Sequence, residues 1–213
     1  MTSDLRFREV VLLFLAGCWC VFLSILVFGV MRVTEFRFMP WNLFLACIPY
    51  ALSFWLRWIP SVKLGGLVLL PWLLFFPNAP YLLTDLLHIQ KLVGHEWHGL
   101  LLLVSFALVG LMVTFSSLGH VHQWLEAKMG FYKAWLGVAV ISMLTGFGIY
   151  LGRFLRWNSW DILRDPVGLI QDIAVRVLLP HHHLRTWGVT LGFGALLLLI
   201  YAHHRLIFTR AKN

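Results

Sequence analysis

Long apolar stretches, interrupted at intervals by charged clusters and prolines, dominate this chain. They predict six membrane spans at about 9–31, 41–59, 64–88, 98–119, 133–153 and 186–208, because one crossing takes roughly 20 apolar residues. The stretch from about 166 to 180 reads differently. Ile170, Ile173, Ala174, Val177 and Leu178 share one face and Gln171, Asp172, Val175 and Arg176 fall mostly on the other, the pattern of a short helix lying in the interface plane. The third run holds Pro71, Pro77 and Pro80. Proline removes a backbone donor and crowds the preceding turn, so this run must kink or break near Pro77, and Asn78 is placed to cap a new segment starting at Ala79. No repeat, low-complexity segment or linker divides the chain, which is read as a single all-α, polytopic membrane domain over residues 1–213. The segment from Val10 to Met31 is too long for the apolar part of a cleaved signal, and no small-residue cleavage site follows it. It is expected to stay as the first span.

Composition narrows the class further. Hydrophobic residues make up 60% of the 213 and charged residues 12%, where a soluble domain carries about a quarter charged. An ordinary soluble enzyme is excluded. The formal charge of +8, from 17 Lys and Arg against 9 Asp and Glu, fits basic residues among anionic headgroups and does not imply nucleic acid. Cys18, Cys20 and Cys47 all lie in apolar stretches, which supports neither a disulfide framework nor a thiolate metal site.

Helices that alternate in direction sort the polar residues by membrane face. The ends of spans one, three and five and the starts of spans two, four and six share one face, called here the site face. It collects Trp41 and Asn42, then Tyr81, Thr84, Asp85 and His88, then Arg153, Arg156, Asn158, Ser159 and Asp161, and then His181, His182 and His183. Tyr81, Thr84, Asp85 and His88 fall at i, i+3, i+4 and i+7, on one helical stripe. A carboxylate at membrane depth is costly unless it faces protein or water, so the stripe is expected to line a polar pocket, with Arg153 or Arg156 as the partner of Asp85. Arginine at such a position also anchors to lipid phosphate, and Trp157 and Trp160 fit an interfacial belt. Ser142, Gly146, Gly148 and Gly152 give the small-residue spacing that lets helices approach closely, which makes span five the expected centre of the bundle. Asn158 or Ser159 is also placed to cap the short stretch at Trp160 to Leu163.

His120 and His122 end span four, and His203 and His204 end span six, so they belong to the opposite, terminal face. His88, His95, His98 and Asp85 form a weak metal constellation, and adjacent histidines such as His181 to His183 rarely aim at one point. No metal site is assigned and no cofactor is named. The G-x-S-x-G, H-E-x-x-H, phosphate-loop and dinucleotide patterns are absent from the sequence.

Three blocks carry a resemblance: Trp41-Asn-Leu-Phe-Leu-Ala46 through Pro49, Phe76-Pro-Asn-Ala-Pro-Tyr-Leu-Leu-Thr-Asp85 through His88, and Gly146-Phe-Gly-Ile-Tyr-Leu-Gly-Arg-Phe-Leu-Arg-Trp-Asn-Ser-Trp-Asp161. They resemble a bacterial family of multi-pass membrane proteins catalogued as domain of unknown function thirteen sixty-one. The likeness covers almost the whole chain and implies an integral protein of a bacterial cytoplasmic membrane, with no substrate. It picks out Asn42, Asn78, Asp85, His88, Arg153, Arg156, Asn158 and Asp161 as family-motif residues. His95, His98, the triple histidine and His203-His204 fall outside its blocks.

Three functions stay open. The preferred one is binding or transport of an anionic small molecule or lipid headgroup in the site-face pocket, with Asn42, Asn78, Tyr81, Thr84, Asp85, His88, Arg153, Arg156, Asn158 and Asp161 as its residues. The second is an enzyme acting on a lipid or lipid-linked substrate, with Asp85 and His88 as base and orienter. In the third the protein is a structural subunit, partnered by copies of itself or another membrane protein. Orientation rests on counting. Nine basic residues fall on the terminal face and eight on the site face, and setting aside the site face's five arginines between Arg153 and Arg185 leaves nine against three, which places both termini in the cytoplasm.

Overall fold

A computed structural model of the protein describes residues 3–30, 36–91 and 96–210. Gly94 and His95 lie outside the described residues. Among the described residues every regular element is helical. Six helices are long and apolar enough to cross a membrane, over Asp4–Val30, Met39–Leu56, Val62–Ile89, Trp97–Met129, Phe131–Phe154 and Leu184–Ile207. The chain is therefore an all-α polytopic membrane protein.

In chain order the elements are α1 (Ser3–Ile25, extended by a π-helical turn over Leu26–Val30), α2 (Met39–Leu56), α3 (Val62–Phe75) and α4 (Asn78–Thr84, followed by a 3-10 stretch over Asp85–Lys91). Then come α5 (Glu96–Met129), α6 (Phe131–Phe154), α7 (Asp161–Arg164), α8 (Pro166–Leu178), a 3-10 turn at Pro180–His182, and α9 (Leu184–Arg210). The expected break falls at Phe76 and Pro77. The two halves of the third span differ in their neighbours: both pack on α2 and α5, α3 reaching α5 through Gly65 and Trp72, whereas α4 also meets α6.

The fourth span runs ten residues past its expected end at 119, through His120 and His122 to Met129. Polar residues alone do not stop a helix. It stops at Gly130, whose backbone (φ 81°, ψ 169°) suits almost only glycine, and α6 begins at the next residue. The extra turns bury Val121, Trp124 and Leu125 against Leu56, Trp72, Ala134, Val138 and Tyr201. At the other end of α5, Leu102, Leu103, Phe106, Val109 and Val113 pack with Cys20, Leu23 and Val27 of α1, Met39, Leu43 and Ala46 of α2, and Ala79 and Leu82 of α4. One long helix therefore serves both cores. Over its most apolar stretch 56% of α5 is buried, against 39% for α6, so the fourth span and not the fifth is the centre.

The small residues of α6 serve two neighbours. An added Cβ at Gly146 would lie 2.3 Å from the Thr190 carbonyl oxygen of α9, and one at Gly148 would lie 2.6 Å from the Pro77 ring ahead of α4. Backbones come this close only where side chains are missing.

Candidate functional site

The site grows from the proline break. Pro77 and Pro80 bring no N–H to the helical ladder and interrupt it, and at membrane depth the carbonyls beside such a break are best met by other donors. Side chains reach two of them, those of Leu74 and Phe75. Asn78 Nδ2 donates to the Phe75 carbonyl (2.8 Å) and to Ser159 Oγ (2.9 Å), and Ser159 Oγ donates to the Leu74 carbonyl (3.0 Å). Asn78 is thus the first residue of α4 and not its cap. The N-cap is Pro77, with no side-chain bond. Ser159 likewise caps nothing, since α7 starts after Trp160 without a capping side chain. Its hydroxyl ties the segment after α6 to the broken third span.

One turn beyond, the predicted stripe meets α2 and α6. Asp85 is completely buried. Arg153 Nη2 donates to Asp85 Oδ1 at 2.5 Å, and Asn42 Nδ2 reaches Asp85 Oδ2 at 3.4 Å. Thr84 Oγ1 accepts from Arg153 Nε (3.0 Å) and Nη2 (2.6 Å) while donating to the Tyr81 carbonyl (2.6 Å). The Arg153 guanidinium lies 4.4 Å over the Tyr81 ring. Van der Waals room for this meeting comes from Gly110, where a Cβ would sit 2.6 Å from the Ala79 carbonyl oxygen, and from Gly152, where it would sit 3.2 Å from the Tyr81 ring. His88 joins through Asp85's backbone, its Nδ1 lying 3.2 Å from the Asp85 carbonyl oxygen, and its ring lies against Phe38.

Asn42, Tyr81, Thr84, Asp85 and Arg153 therefore converge, with His88 at their edge, while Asn78 belongs to the adjoining lock at the proline break. The remaining predicted residues stay apart. Asp161 Oδ2 accepts from Asn158 N (2.7 Å) and Nδ2 (3.1 Å), so this pair closes its own turn. Arg156 is exposed and takes a left-handed backbone (φ 63°), which turns the chain out of α6 and lets Trp157 N–H bond the Leu151 carbonyl at 3.1 Å. A non-glycine residue in that conformation costs roughly 1 kcal/mol.

The short helix α8 adds a second polar cluster beside the first. Its apolar residues Val167, Ile170, Val177 and Leu178 point outward and are largely exposed. Asp172 and Arg176 turn toward the bundle instead. Trp157 Nε1 donates to Asp172 Oδ2 (2.7 Å), Arg176 Nη1 donates to Asp172 Oδ1 (2.7 Å), and Trp187 Nε1 donates to the Arg176 carbonyl (3.1 Å). Burial opposes the Arg176 charge, but hydrogen bonds from its guanidinium to Tyr150 and Asp172 outweigh that and hold it above its ordinary pKa.

Sequence reasoning missed the polar contacts nearer the terminal face. His122 is fully buried with its Nδ1 2.9 Å from Tyr201 Oη, and His120 lies 3.1 Å from Ser53 Oγ by Nδ1 and 3.5 Å from Glu9 Oε1 by Nε2. Glu9 was the available signal, a carboxylate at the edge of the first apolar run. Among the described residues no three His, Cys, Asp or Glu side chains gather as a metal site. His98 is exposed, and the rings of His181 and His182 lie tilted against each other with their centroids 4.2 Å apart.

No curated protein and no solved structure matches the chain. A family model does match, over residues 41–200, from the start of α2 through most of α9, and it contains every residue of the converging site. By that match the chain belongs to the family described as protein of unknown function (DUF1361).

Proposed function

We propose that this membrane protein binds, and in binding transports or presents, an anionic group such as a lipid headgroup at the Asp85–Arg153 site. The observation that carries the reading is a carboxylate with no solvent exposure, paired to an arginine at a helix break inside a membrane span. Buried ion pairs add little net stability over apolar packing, and ionisable residues at this depth mark ligand or ion paths. Arg153 keeps 14% of its side chain exposed, and its Nη1 has no hydrogen bond among the described residues. An incoming phosphate or carboxylate engages that edge and competes with Asp85 for the same charge. Exchange of one counter-ion for the other loosens α4 from α6. Arg156, exposed one turn away, adds charge at the entrance.

The same residues support a second reading, in which the saturated contacts of Thr84 and Asp85 only staple α4 to α6. Binding of phosphatidic acid to the purified protein, counted by native mass spectrometry, separates the two. On the ligand reading Asp85→Asn frees Arg153 and tightens binding roughly tenfold, while Arg153→Gln weakens it by a similar factor. Equal affinity in both variants and the parent leaves only the staple. The setting we infer is a bacterial cytoplasmic membrane with both termini inside, supported by the excess of basic residues at the terminal face once the site face's arginines between Arg153 and Arg185 are set aside.

A further inference from the structure

At the terminal face the start of α1 and the end of α2 leave a groove of about 400 Å³ between them, lined by Arg6, Phe7, Val10, Phe54, Arg57 and Trp58. This is a different place from the Asp85 site. Fifteen residues separate Asn42 from Arg57, about 22 Å of helical rise.

Two cations face the groove, and among the described residues neither makes an ion pair. The nearby acids are engaged elsewhere: Asp4 with Arg8 at 3.0 Å, and Glu9 with His120 at 3.5 Å. Arg57 is held by rings instead, its guanidinium 4.0 Å over Phe54 and 4.5 Å over Trp58. Stacking of this kind fixes the guanidinium plane while its N–H donors stay available at the edge. Desolvation and the Arg6 charge both push Arg57 below its ordinary pKa, so the two cations feel each other. Like charges share a groove favourably once an anion sits between them.

The rest of the lining decides which anion. Phe7 and Trp58 are more than two-thirds exposed, Val10 is exposed as well, and all three stand at the ends of apolar spans. A soluble phosphate makes no use of such walls, whereas a phospholipid offers charge and hydrocarbon at that depth. We propose that this groove binds the headgroup of an anionic membrane phospholipid, with Arg6 and Arg57 on the phosphate and Phe7, Val10 and Trp58 against the first part of its acyl chains.

The full-length protein in zwitterionic detergent is titrated with phosphatidylglycerol, phosphatidylcholine and glycerol phosphate, and bound lipid is counted by native mass spectrometry. The parent retains phosphatidylglycerol in preference to phosphatidylcholine, and the preference falls as salt is raised. Arg6→Gln with Arg57→Gln weakens phosphatidylglycerol about thirty-fold, the effect of two interfacial charges, and leaves phosphatidylcholine unchanged. The Arg6→Lys, Arg57→Lys pair restores part of the loss. Unchanged phosphatidylglycerol binding in the glutamine pair overturns the proposal, and glycerol phosphate binding as tightly as the lipid overturns its lipid half. Should the glutamine pair fail to fold, the parent alone decides: equal retention of the two lipids, or retention indifferent to salt, refutes the site. The same comparison made in an Arg153→Gln background, where the Asp85 site is disabled, still shows the loss on Arg6→Gln with Arg57→Gln, so failure here is distinct from failure at Asp85.

Discussion

Replacing Arg153 by Met removes all the hydrogen bonds that Arg153 gives to Thr84 and Asp85 and leaves a fully buried carboxylate with Asn42 at 3.4 Å. Breaking a buried pair from one side costs about 3–5 kcal/mol, and the complete burial of Asp85 places this variant near about 4 kcal/mol. Asp85→Asn is milder. Arg153 keeps its two bonds to Thr84, its seat over Tyr81 and 14% exposure, so the loss is about 2 kcal/mol. The double variant has no unpaired charge and is expected to lose about 3 kcal/mol, less than the sum of the two, for a coupling of about 3 kcal/mol. For a chain of this length each kcal/mol moves the melting temperature by about 2–4 °C, so Arg153→Met should melt roughly 8–16 °C early. Thermal unfolding in one detergent at one protein concentration, followed by circular dichroism, measures all four corners of the cycle. If the double variant loses the sum of the single losses to within about 0.5 kcal/mol, the two residues are not coupled and the reasoning fails.

The remaining expectations concern packing, the proline break and orientation. Gly146→Ala forces α6 away from the Thr190 carbonyl and should cost about 1–3 kcal/mol, whereas Gly192→Ala on α9, where a new Cβ meets nothing within 4 Å, should melt like the parent. Ser159→Ala leaves the Leu74 carbonyl without that donor and Asn78 without that acceptor, for a loss of about 1–3 kcal/mol in the same assay, while Ser159→Thr recovers part of it. Single cysteines at Gly94 and Lys128, in a background lacking Cys18, Cys20 and Cys47, should react from opposite sides of intact cells, with position 94 reached first by an impermeant reagent. Labelling at 128 alone reverses the assigned orientation, and labelling at both removes the six-span topology.

The one-dimensional pattern was enough for class and span number, because the bilayer imposes a length and an apolarity on every crossing whatever its neighbours are. Alternation of the spans then put Asn42, Asp85 and Arg153 at one face, where they do meet. Pro77 and Pro80 marked the break for an equally local reason, the missing N–H. What lay beyond reach was each side chain's partner. Asn78, Asn158 and Ser159 all looked like caps, yet Asn78 and Ser159 bond each other and the carbonyls of Phe75 and Leu74, and Asn158 folds back on Asp161, because donors and acceptors are assigned by what folding brings near. The same holds for the central helix. Small residues made α6 the expected centre, but enclosure depends on how many neighbours surround a helix, and a 34-residue α5 ended only by Gly130 reaches both cores. Spacing along the chain determines which residues share a face or a membrane depth, while only the tertiary structure decides which of them touch, since contact follows from the relative placement of helices far apart in sequence.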